Sequence, residues 1–153
     1  MYPAPLQALI DLFAGLPETD RRETLINLAE SAPLHAPQEG EIFDLEDVRK
    51  DEECTDTVGI HLHSHADGTV SFRVSLGPQV QTLTRAMTSI LCQGFEGVKP
   101  QEILEVPADF VPKIVGAELV RLRSQTVYYV LTRMKSAVKV LLNRQRAAAL
   151  EGT

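Results

Sequence analysis

Thr57–Leu76 reads TVGIHLHSHADGTVSFRVSL. Two runs of strand-forming residues, Thr57 to His65 and Thr69 to Leu76, flank an Asp67-Gly68 pair. In the first run Val58, Ile60 and Leu62 share one parity, and side chains at alternate positions of a strand lie on one face. Asp-Gly between two such runs is a strong hairpin signal, because glycine tolerates the positive φ that a two-residue type I′ turn requires. The stretch therefore predicts an antiparallel hairpin with one face in a core.

Working outward, the segment IFDLEDVRK (Ile42–Lys50) predicts a third, short strand through Phe43, Leu45 and Val48. Before it, SAPLHAPQEGE (Ser31–Glu41) is rich in proline and polar residues and reads as a loop. Further back, Leu6, Leu9, Ile10, Phe13 and Leu16 recur at helical spacing, and Gly15-Leu16-Pro17 ends that helix. A second helix follows, with Asp20 as N-cap, Glu23 as its capping-box partner, and Leu25, Ile26, Leu28 and Ala29 as its apolar face.

Downstream of the hairpin, Pro78 suits the first turn of a helix. Its stripe is Val80, Leu83, Met87, Ile90 and Leu91, and it stops at Gly94 and Gly97. KPQEILEV (Lys99–Val106) predicts a short helix. Pro107 and Pro112 punctuate the next segment, and a long helix is expected from about Glu118 to Arg146. The end, about 147–153, is expected to fray. Helices, then a small antiparallel sheet, then helices indicate an α+β fold in a single domain over 1–153.

The chain has 153 residues, 44% hydrophobic and 24% charged, as befits one globular domain. Its formal net charge of −6 opposes nucleic-acid binding, which needs a basic face. Charge is unevenly spread. Glu41–Asp56 holds eight acidic and two basic residues, whereas Lys113–Arg146 holds eight basic and one acidic. Such runs are usually solvated faces, but an acidic loop could also meet the chain's own basic helix or a partner's basic surface. No apolar run is long enough to span a bilayer. The start, MYPAPLQALIDLFAGL, reads as an amphipathic helix rather than a signal peptide. The usual nucleotide-binding and hydrolase motifs do not occur.

Two features carry metal or thiol chemistry. His61, His63 and His65 fall on one strand face, and a thiolate from Cys54 could complete a metal site. Against that, imidazoles at alternate strand positions sit about 6–7 Å apart and diverge. The opposite parity is apolar, so the expectation is that the histidines form the wet face of a strand. The chain has two cysteines, Cys54 and Cys92, which is no disulfide framework and suits a reducing, cytoplasmic setting. Cys92 falls beside Arg85 and Ser89 on its helix and reads as an incidental thiol. Cys54 lies in an acidic loop just before a strand.

From about Leu6 to Met134 the chain resembles the SufE family, sulfur acceptors that work with cysteine desulfurases in iron–sulfur cluster assembly. The resemblance rests on LQALIDLFAGLPETDRRETLINLAE, CTDTVGIHLHSHADGTVSFRV, GFEGVKPQEILEVP and RLRSQTV, in that order. It implies two N-terminal helices, a three-stranded antiparallel sheet and C-terminal helices packed on it. It implies that Cys54 is the sulfur-accepting cysteine and that Arg123 is the family's arginine near that thiol. The implied partner is a SufS-type cysteine desulfurase, with the SufBCD scaffold as a second. Pyridoxal phosphate belongs to the desulfurase, and no cofactor is implied on this chain, a carrier and activator rather than an enzyme. The family's V-x-G-C-x-S-x-V-W motif is altered: Glu53, Asp56 and Gly59 replace its glycine, serine and tryptophan, while Cys54 and Val58 remain. Two alternatives stand beside this reading: a diverged partner-binding protein without transfer, and a metal-binding module of Cys54 with the three histidines. Asp51, Glu52, Glu53 and Asp56 flank the thiol and should raise its pKa. Arg123, or more weakly a protonated His61, would have to offset them.

Overall fold

The computed structural model describes residues 2–51 and 56–152, so Cys54 lies outside the described residues. The hairpin forms as its alternation requires. Strand β1 spans Leu45–Asp51, β2 Asp56–Ser64 and β3 Val70–Leu76, in antiparallel order β1-β2-β3. His61 pairs with Glu46 on one side and Arg73 on the other. Val58, Ile60, Leu62, Val70, Phe72 and Val74 all point to the buried face. The turn differs from the expected two-residue type. Gly68 N–H donates to His65 O at 3.0 Å, and His65 N–H donates to Thr69 O at 2.8 Å. Three residues, 66–68, therefore form the loop, with Gly68 at φ 88°. Asp67 stabilises it by accepting from the Thr69 N–H and hydroxyl.

Helices cover the apolar side of the sheet. Helix α1 spans Ala4–Ala14, α2 Glu18–Glu30 and α3 Thr82–Gly94. Helix α3 packs against α1, α2 and β3, so it is buried almost all round. Its polar residues are satisfied locally: Ser89 donates to Leu28 O at 2.6 Å and Thr88 to Thr84 O at 2.9 Å. Close approach of α1 depends on Gly94, where an added Cβ would lie 3.0 Å from Leu6 Cδ1. Helix α2 starts at Glu18 with extended Pro17 in the N-cap position, so Asp20, the expected cap, falls inside the first turn, where its charge suits the positive end of the helix dipole. Leu25 and Ala29 face the core, but Ile26 is 44% exposed. A 3-10 turn over Ala32–His35 interrupts the expected loop.

The chain then forms α4 (Pro100–Glu105), a 3-10 turn (Ala108–Phe110), α5 (Val111–Val115), α6 (Ala117–Leu122) and α7 (Ser124–Glu151). The single long helix expected from Glu118 is thus broken. Arg123 departs from helical geometry at φ −134°, ψ 40°. The break lets half-buried Leu119 and Val120 pack on the core, while the buried stripe of α7 runs from Val127 to Leu141. Helix α7 remains helical through 147–151, where fraying was expected; those residues are exposed. No helix among the described residues is long and apolar enough to cross a membrane.

Candidate functional site

The region that closes around the start of β2 is a short clamped loop, Gly77–Gln81. Pro78 and Val80 lie in it, outside α3, so proline here shapes a turn rather than a helix start. Asp56, two residues after Cys54, supplies one side of the clamp. Its carboxylate accepts from Thr57 N–H at 2.7 Å and from Gln79 N–H at 2.5 Å. Gly77 N–H donates to Thr57 O at 2.8 Å. Gly77 is needed for this approach: a Cβ there would overlap the Asp56 carboxylate. Arg85 on α3 supplies the other side. Its guanidinium donates to Val80 O at 3.0 Å and to Pro78 O at 3.3 Å.

Arg123 joins the same loop. It donates to the Gln81 side-chain oxygen from the break between α6 and α7. The arginine is exposed. Asp56 and Arg123 therefore grip positions 79 and 81, which extended chain separates by at most about 7 Å. Cys54 itself, the first of the two expected site residues, lies outside the described residues.

A second anchor holds the strands from below. Arg133 of α7 is 3% exposed. It donates to Val58 O at 3.0 Å and to Asp47 O at 2.6 Å, one carbonyl on each of β2 and β1. It also lies 3.4 Å from the Asp47 carboxylate and donates to Tyr129 Oη at 2.8 Å. The acidic segment and the basic helix thus meet at this point. Neither this arginine nor the Asp56–Gly77–Arg85 clamp stood out in the sequence. Gly77-Pro78 was the available signal for the clamp, since that pair marks a turn.

The histidines occupy the outer face, as their parity requires, but they do not all face water. His61 is 7% exposed, packed under the Phe43 ring at 5.2 Å. Its Nε2 lies 2.9 Å from Ser75 Oγ. Its Nδ1 lies 3.4 Å from the Glu46 carboxylate without forming an aligned hydrogen bond. Burial pushes the His61 pKa down from 6.5, with Glu46 opposing. Burial thus favours the neutral ring over the imidazolium. His63 and His65 stack edge to face at 4.7 Å, and His65 bonds Ser71 at 2.5 Å. Among the described residues no three His, Cys, Asp or Glu side chains come together as metal ligands.

Cys92 is 2% exposed, and burial pushes its thiol up to about 12. A thiol so protonated is a poor nucleophile.

Comparison with known proteins agrees with this architecture. The solution structure of a hypothetical protein from Thermus thermophilus superposes with a TM-score of 0.72 at 24% identity, over 94% of this chain and 99% of that one. The crystal structure of a nitrogen-fixing NifU-like protein (N-terminal) from Brucella abortus superposes at 0.58 with 14% identity, over 80% and 96%. These likenesses concern the fold. A search of the curated proteins finds no match. The model of the SufE family, described as an Fe-S metabolism associated domain, matches residues 7–138. With that match running from α1 through the sheet to the middle of α7, the chain belongs to the SufE family.

Proposed function

We propose that this protein accepts sulfur on Cys54 from the active-site persulfide of a SufS-type cysteine desulfurase and hands it on to iron–sulfur cluster assembly. Family membership supports the link to iron–sulfur metabolism. The observation that carries the finer reading is the shared loop: Asp56, two residues past Cys54, and Arg123 are both bound to Gly77–Gln81. An exposed guanidinium is thereby tied to the strand start that follows the cysteine.

The Cys54 thiolate attacks the outer sulfur of the donor persulfide. A new S–S bond forms at Cys54, the donor's S–S bond breaks, and the donor thiolate leaves and takes up a proton. One sulfur moves and no external oxidant or reductant is used. The flanking carboxylates disfavour the attacking thiolate, and Arg123 offsets them. Cys54 is a weak nucleophile in the free protein and gains competence in the complex. The pyridoxal phosphate that generates the persulfide is the desulfurase's own. This chain acts as carrier and activator, the SufBCD scaffold is the onward recipient, and a reducing cytoplasm keeps the thiol free.

Intact mass after incubation with desulfurase, pyridoxal phosphate and cysteine tests this. The expected result is a reducible gain of about 32 Da, one sulfur atom, in wild type and Cys92→Ala but not in Cys54→Ser. A gain that survives Cys54→Ser, or no gain with wild type, sinks the reading.

A further inference from the structure

Beside the clamped loop an open groove of about 570 Å³ runs between α2, α3 and α6. Leu25 and Leu119 floor it, Ile26 stands at its edge, and Arg22 and Arg123 flank it. A second hollow of about 400 Å³ shares Arg22, Leu25 and Leu119 with the first and adds Arg21. The two form one continuous trough bearing three guanidinium groups. This placement runs against the composition, because the chain as a whole carries −6.

Arg123 already binds the Gln81 side chain, but the other two cations are available. Among the described residues Arg22 makes no ion pair or side-chain hydrogen bond, and Arg21 Nε is buried without an acceptor. Two carboxylates border the second hollow, Glu18 and Glu118, and Glu118 is engaged by Arg121 at 2.6 Å. A buried donor lacking an acceptor is unfavourable, and a carboxylate that enters the hollow relieves it. The apolar floor and exposed Ile26 suit aliphatic or aromatic side chains of the same occupant. Charge and apolar surface together select an acidic, amphipathic protein segment.

We infer that this trough docks an acidic amphipathic segment of the cysteine desulfurase. This inference rests on the proposed function and names the partner surface that brings the persulfide to the clamped loop. Opposite charges across the interface steer encounter and fix register, which makes association depend on salt. Arg123, shared by trough and loop, sets the end of the docked segment next to the strand start that follows Cys54.

Binding of the full-length protein to a purified SufS-type desulfurase, followed by calorimetry at low and high salt, tests the inference. Arg22→Glu and Ile26→Asp alter exposed trough positions outside the transfer machinery. Each is expected to weaken binding by about tenfold or more, and Arg22→Glu to flatten the salt dependence. Sulfur loading of Cys54 from a small-molecule persulfide should stay at the wild-type level in both. A photo-crosslinker at position 26 should capture a net-acidic desulfurase peptide. Unchanged affinity in Arg22→Glu, or capture of a basic peptide, overturns the trough while leaving sulfur transfer standing. Failure of wild type to bind the desulfurase overturns both.

Discussion

Burial sets the chemistry of two described side chains, Cys92 and His61. Cys92 is sealed in the core with its pKa at about 12. In a Cys54→Ser variant, an aromatic disulfide reagent should therefore find no fast-reacting thiol in the native state and one after denaturation. Rapid native labelling would contradict the burial. His61 sets a pH dependence. Burial holds its folded pKa below 6.5, so the unfolded chain takes up the proton more readily. The stability from this group is present above the unfolded value and is lost as pH falls through the folded one. His35 has the same sign, from burial and then from nearby Arg73. The Tm should fall as pH drops from about 7 toward 5, and His35→Gln/His61→Gln should fall less steeply. A steeper fall in the double variant would show the sign to be wrong. The parity of the histidines was legible in the chain, but the enclosure of His61 was not. It comes from Phe43 and Ser75, which tertiary packing brings onto the ring.

Among the elements, the Gly77–Gln81 loop and the β1–β2 pair depend on distant charged side chains. Gly77→Ala would force the Asp56 carboxylate away from the loop and strand its bond to Gln79 N–H. A loss of about 2 kcal/mol in denaturant unfolding is expected, since bonds to a charged acceptor are worth more than neutral ones. On the proposed function, sulfur loading from the desulfurase should slow with it. Arg133→Met keeps much of the apolar stem but abandons the carbonyls of Asp47 and Val58. It should lose about 3 kcal/mol, and an unchanged unfolding midpoint would refute the anchor. The hairpin strands, α1 and the core of α3 follow from periodicity. The break at Arg123 and the turn at Pro78 do not, because both are set by contacts to residues far along the chain. A helical period continues through RLRSQT regardless of which way the protein bends it.

Across the whole molecule, stability is concentrated in the sheet and the helices that cover it. Every residue from 143 to 152 is exposed, although α7 continues to Glu151. Deleting residues 145–153 should reduce the helical circular dichroism signal and leave the Tm within about 1 °C, because no core surface is lost. A large drop would place an unseen contact on that end. The family resemblance made the layer order legible, and hydrophobic alternation supported it residue by residue. Cys54 lies outside the described residues, and the clamp next to it in sequence was not legible, because it is assembled from Asp56, the 77–81 loop, Arg85 of α3 and Arg123 at the α6–α7 break. Gly59 carries a consequence for how this chain can change. A Cβ there would overlap Ser75 Oγ and sit 2.9 Å from Val48 Cγ2 and 3.0 Å from His61 Nε2. Any side chain at position 59 would therefore press on Val48 of β1, His61 of β2 and Ser75 of β3 at once, so this one glycine ties the outer faces of all three strands into a single unit of substitution.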